Sequence, residues 1–85
     1  MTNDEIRSIA LQLLGNIAPE ADPAALRPDV NYREQLDIDS MDLLNFLISL
    51  HKHFGVEIPE RDYPQLMTLD HCVAYVSAAL ARKSP

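Results

Sequence analysis

The sequence predicts an all-α fold: a small bundle of three main helices and one short helix, with a long first loop. Three observations carry that expectation. Apolar residues recur at three- and four-residue spacing in three separate segments, the period of a helix with one buried face. With two glycines, no tryptophan and 6% aromatic residues in 85 positions, the chain is poor in the residues of a many-stranded sheet. Apolar residues make up 47%, enough for a core. A chain this short buries only about 60–65% of the surface its unfolded form exposes, which leaves room for one domain, residues 1–85, and no deep multilayered enzyme pocket.

The first helix has a clear start. Thr2 followed by Glu5 fits a capping box, the hydroxyl taking an orphan N–H and the carboxylate reaching back. Ile6, Ile9, Ala10, Leu13 and Leu14 form its buried stripe, and Gly15 suits the left-handed residue that ends a helix. A long connection follows, from Asn16 to about Asp39, where Pro19, Pro23 and Pro28 stand too close together for another full helix. Asp22-Pro23 is placed to start one short turn. Ile17, Leu26, Val30, Tyr32 and Leu36 offer spaced apolar anchors that would pin the loop to the bundle.

The second main helix spans about Ser40 to Phe54, closed by Gly55 and barred from continuing by Pro59. Steps of about 100° per residue gather Asp42, Asn45, Ser49, Lys52 and His53 into one polar arc. Leu43, Phe46, Leu47, Leu50 and Phe54 make an inward stripe. Met41, Leu44 and Ile48 form a further apolar patch on the flank that Ser40 heads, the mark of a helix that meets something besides its own core. Glu60 to Gln65 reads as one short turn cut by Pro64. Thr68 then caps the last helix, with Asp70 in its first turn, Leu69, Val73, Val76 and Leu80 at helical spacing, and Arg82 and Lys83 where cations are favoured.

Charge narrows the partners. Thirteen acidic against seven basic residues give a formal net charge of −6, which repels nucleic acid and anionic membranes and suits basic protein surfaces. The single Cys72 forms no internal disulfide and is expected as a small buried hydrophobe. The first ten residues lack a secretion pattern, and no apolar run approaches the roughly 18 residues of a membrane span. A cytoplasmic protein is the expectation.

Ser40 is the residue of greatest chemical interest. At a helix start its side chain stands among unpaired N–H groups and the positive dipole end, a place that tolerates a phosphate. The plainer reading is that Asp39 or Ser40 simply caps the helix. Other constellations carry less. His51 and His53 lie on different faces, as do His71 and Cys72, so no metal is expected. No glycine-rich elbow surrounds Ser40, so no hydrolase and no catalytic residue is assigned.

Leu36-Asp37-Ile38-Asp39-Ser40-Met41, followed by Phe54-Gly55-Val56-Glu57-Ile58-Pro59, resembles the acyl carrier protein family. There an Asp-Ser-Leu or Asp-Ser-Met motif opens the second helix and a Phe-Gly-x-x-Ile-Pro type segment closes it. Thr68-Leu69 and the long loop with its aromatic Tyr32 extend the likeness over nearly the whole chain. The resemblance implies a non-enzymatic carrier whose Ser40 bears a covalent 4'-phosphopantetheine arm, installed by a phosphopantetheinyl transferase with Asp39 as part of the motif it reads. It implies thioester-bound acyl intermediates of fatty acid, polyketide or specialised acyl metabolism. Acyl-transferring and acyl-activating enzymes would dock on a face formed by Met41, Leu44, Asn45, Ile48, His51 and Lys52. A monomer is the simplest state for a protein that visits several enzymes.

The chain also departs from the family pattern. Asp37 replaces the common glycine of the Leu-Gly-x-Asp-Ser segment. The family's second helix is acidic along its partner face, whereas Asn45, His51, Lys52 and His53 stand at the corresponding positions. That change points to a dedicated set of partners, although the three basic residues also suit the negative end of their helix. Two alternatives stay open: an aminoacyl or peptidyl carrier, which more often shows Gly-Gly-x-Ser, and a helical adaptor of the same fold that needs no loaded serine.

Overall fold

The computed structural model describes residues 1–19 and 22–83. Positions 20 and 21 of the long connection, and 84 and 85 of the expected single domain, lie outside the described residues. Helix α1 is Asn3–Ile17, α2 Tyr32–Gln35, α3 Ser40–Phe54 and α4 Leu69–Lys83, and no strand forms among the described residues. Pro23–Ala25 and Glu60–Leu66 are 3-10 segments.

The capping box at α1 forms as the sequence specifies: Glu5 N donates to Thr2 Oγ1 at 3.2 Å and Thr2 N to Glu5 Oε1 at 3.0 Å. The bond donated by Thr2 N, helped by the neighbouring Thr2 hydroxyl, holds the Glu5 carboxyl below the usual carboxylate range. The end of α1 differs from the expectation. Gly15 is helical, and the only positive φ in the described chain is at Gly55. Packing explains the extension: Ile6, Ala10, Leu14 and Ala18 recur every four residues and are all buried, so the stripe carries the helix past Gly15. Ala18 N then donates to Leu14 O at 2.9 Å, and Pro19 stops the chain.

α1 packs against both α3 and α4, and α4 also meets the 3-10 helix Glu60–Leu66. The inward stripe of α3 is buried throughout, as are Leu69, Cys72, Val73 and Val76 of α4. Ala79 is the last buried position of α4, while Leu80 packs against the core partly exposed. Thr68 caps α4 through Oγ1, which accepts His71 N at 3.1 Å. Pro64 does not cut its segment, because short i→i+3 turns on either side survive the loss of one donor.

The long connection is more ordered than its prolines suggest. Asp22 starts the short turn, with Ala24 N on its Oδ1 at 3.0 Å. Asn31 caps the unanticipated α2 through Arg33 N at 2.9 Å. Gln35 latches the preceding bend: Oε1 accepts Arg27 N, and Nε2 donates to the carbonyls of Arg27 and Val30. Two backbone bonds then tie the connection to the start of α4, Tyr32 N to Met67 O at 3.0 Å and Asp70 N to Pro28 O at 2.9 Å. The second of these satisfies an orphan donor at that helix start. Tyr32 is fully buried, Ile17, Leu26 and Leu36 pack against the core, and Val30 is half-buried.

Candidate functional site

The N-terminus of α3 is fixed by two carboxylates. Asp39 is the cap, with Asp42 N donating to its Oδ1 at 2.9 Å, while Asp39 N donates to Asp42 Oδ2 at 3.2 Å. This acid-and-acid capping box performs the work usually done by a hydroxyl and a glutamate. It decides between the two caps the sequence left open. Ser40 is the first helical residue and is exposed. Sequence reasoning placed Asp42 only in the polar arc; the signal it missed was an acid three residues after Asp39.

From Ser40 two lines run along the helix. At about 100° per residue, Met41, Asn45, Ile48 and Lys52 fall within roughly 60° of one another and face away from the core. Met41 is 63% exposed and Ile48 39%, large values for apolar side chains, and Asn45 and Lys52 are exposed. The second line, Ser40, Leu44, Leu47 and His51, follows the flank between that stripe and the buried side. Leu44 is half-buried there. The line ends at a cavity of about 190 Å³ bounded by Leu47, Ile48, His51, Glu57, Ile58 and Tyr63.

The six residues assigned to a partner face therefore divide. Met41, Asn45, Ile48 and Lys52 share the outward stripe; Leu44 and His51 lie on the flank. His51 has a structural task as well, since its Nδ1 lies 2.6 Å from Val56 O. A carbonyl only accepts, so Nδ1 carries the proton of that bond, and the ring ties α3 to the segment beyond Gly55.

Two features elsewhere bear on the chemistry. Cys72 is fully buried, and burial pushes its thiol up to about 11, so the chain's own thiol is withdrawn from reaction. A wider concavity of about 610 Å³ lies between the 3-10 helix and α4, where Asp62 accepts Tyr75 Oη at 2.7 Å, and it shares no residue with α3. The exposed hydroxyl of Ser40, a helix start and a neighbouring apolar flank fit a covalently held phosphodiester with a long organic tail. Asp39 and Asp42 would repel a free phosphate dianion from the same spot.

Comparison with known proteins identifies the family. The family described as phosphopantetheine attachment site matches residues 4–76. An acyl carrier protein of Rubrobacter xylanophilus is 32% identical over 72 residues, covering 85% of this chain and 83% of that one. An acyl carrier protein of Lactobacillus acidophilus is 32% identical over 59 residues, 69% of this chain and 74% of its own length. A solved structure of the acyl carrier protein from Enterococcus faecalis has the same fold, with a TM-score of 0.78 over 93% of this chain and 99% of that one, at 23% identity.

Proposed function

The chain belongs to the phosphopantetheine attachment-site family of acyl carrier proteins, and from that premise we propose that Ser40 is the residue that bears the arm. Members of this family are non-catalytic carriers that meet a phosphopantetheinyl transferase and acyl-handling enzymes. The observation that carries the assignment is the division of labour at the start of α3. Asp39 and Asp42 do the capping, so the exposed Ser40 hydroxyl is not needed to hold the helix. Its oxygen is the nucleophile that displaces the adenosine-containing part of coenzyme A from phosphorus, and its proton leaves to the transferase. Asp39 fixes the backbone on which that oxygen is presented, and so belongs to the surface the transferase reads.

When bound, the arm supplies a terminal thiol that holds an acyl group as a thioester. Ser40 anchors it beside the half-buried Leu44, which gives the start of the arm an apolar flank. The tether keeps cargo at high effective concentration for each enzyme that docks. Met41, Leu44, Asn45, Ile48, His51 and Lys52 form the docking region, with Met41 and Ile48 as its apolar contacts. We place the protein as a monomeric carrier of fatty acid, polyketide or specialised acyl metabolism, in the cytoplasm where coenzyme A is available. None of the described helices is long and apolar enough to cross a membrane.

The test is the intact mass after incubation with coenzyme A and a promiscuous transferase, followed by peptide mapping. One phosphopantetheine on Ser40, and none on Ser40→Ala with an unchanged melting temperature, is the expected result. A gain on another residue, or an undiminished gain in Ser40→Ala, overturns the assignment.

A further inference from the structure

Charge changes sign along α3. Around Ser40 stand Asp37, Asp39 and Asp42, the first two exposed and the third half-buried. From Leu43 to Phe54 the helix has no acid at all, and its last turn presents His51, Lys52 and His53, all exposed. Lys83 reaches the same end from α4: its Nζ lies 2.6 Å from the place a Cβ on Gly55 would occupy. Between the two ends run Met41 and Ile48. Glu57, the nearest acid in sequence, borders the flank cavity with His51, about 100° around the helix from Lys52.

The negative end of a helix attracts cations for its own stability, so the basic turn alone would say little. Lys83 changes that. It brings a further cation close to the Gly55 cap from a different element, so the positive charge at that end does not rest on Lys52 alone. Lys52 instead stands on the outward stripe, in line with Met41 and Ile48 and about 18 Å from Ser40.

We propose that this face docks on enzymes whose surface is bipolar: basic where Asp37, Asp39 and Asp42 land, apolar beneath Met41 and Ile48, and acidic where Lys52 and His53 land. The proposal deepens the carrier reading and takes its orientation from Ser40. A partner built in this way places the cargo end of the carrier correctly and repels a reversed approach. It also discriminates against carriers with an acidic far end, because like charges would then face each other.

The experiment uses the full chain, loaded at Ser40 with an acyl-phosphopantetheine arm, and a fatty-acid-synthesis ketosynthase whose carrier-docking patch is basic throughout. A second form of the enzyme has the basic residues opposite the far end of α3 replaced by glutamate. The expected result is that this enzyme change raises kcat/KM for the wild-type carrier by about fivefold or more and lowers it for Lys52→Glu/His53→Glu, an effect that shrinks as salt rises. With the unaltered basic enzyme, Lys52→Glu/His53→Glu should outperform the wild-type carrier, which keeps the test decisive if the altered enzyme does not fold. No gain in either pairing overturns the proposal. Intact mass reports loading of each carrier beforehand, so a failure of Ser40 as the attachment residue is seen separately.

Discussion

Leu43, Phe46 and Leu50 on one side of α3, and Met41, Leu44 and Ile48 on the other, come from the same apolar vocabulary and occupy interleaved positions. The first set is at most 8% exposed, whereas Met41 and Ile48 are 63% and 39% exposed. Composition does not separate them; angle around the helix does. The inward set belongs to one buried core with residues of α1, α4 and the connection, whereas Met41, Leu44 and Ile48 are neither part of that core nor among the hydrophobic residues packed against it. One face holds the bundle together, and the other is kept apolar at some cost in solubility. The difference teaches that a hydrophobic residue on a small carrier has to be assigned to folding or to docking by its direction, not its type.

The sharpest way to break that contrast is to truncate one residue from each face. Phe46→Ala removes a fully buried ring packed edge-on against Tyr32, with centroids 5.4 Å apart. A loss of about 3–5 kcal/mol is expected, a large part of the stability of a domain this size. Met41→Ala should shift stability by less than about 0.5 kcal/mol, while weakening turnover with acyl-handling enzymes. Chemical denaturation of both variants, set beside carrier kinetics, checks the pair. Comparable losses of stability would mean that the outward face is not a free surface.

The two glycines extend the comparison from the faces of α3 to the ends of helices. Gly55 has φ 66°, and an added Cβ would meet only the far end of the long Lys83 side chain, which can move aside, so the cost of Gly55→Ala is conformational, about 1–2 kcal/mol. Gly15 is helical with nothing within 4 Å of an added Cβ, so Gly15→Ala should stabilise by about 0.5–1 kcal/mol. Thermal melts of the two variants moving in opposite directions would bear out the contrast.

The same pair marks what the sequence disclosed. Phe54-Gly55 followed by Pro59 set the end of α3 to the residue, because a left-handed cap and a chain stop are local signals. Gly15 resembles such a signal and is not one, since Ile17 and Ala18 still have core to pack against. The connection was least legible for a related reason. Its order comes from Gln35 reaching Arg27 and Val30, and from the backbone pairing of Tyr32 with Met67 and Pro28 with Asp70, none of which shows in a periodicity. Ser40 itself was conspicuous through its motif. The reciprocal bond from Asp42 that relieves it of capping was not, because an acid at that position also reads as ordinary first-turn charge.

The inward face has one polar flaw, and it sets the smallest effect. Tyr32 Oη is buried with no hydrogen-bond partner among the described residues, beside the equally buried Cys72 thiol. An unsatisfied hydroxyl forfeits its water without a full replacement, so Tyr32→Phe should keep the ring packing and leave stability unchanged or raise it by about 1 kcal/mol at neutral pH. The larger difference should emerge in alkali. Burial pushes Tyr32 up and moves Cys72 from an ordinary 9.0 to about 11. For a group whose folded pKa is raised, stability is fully present below the unfolded value and is lost as pH climbs towards the folded one. The thiol alone should therefore withdraw about 2–3 kcal/mol between roughly pH 9 and 11. The phenol adds its share above about pH 10 in the wild type only. Denaturation profiles that diverge in favour of Tyr32→Phe above pH 10 would assign that share to Tyr32. Identical profiles would mean that the phenol does not titrate until the inward face has already come apart.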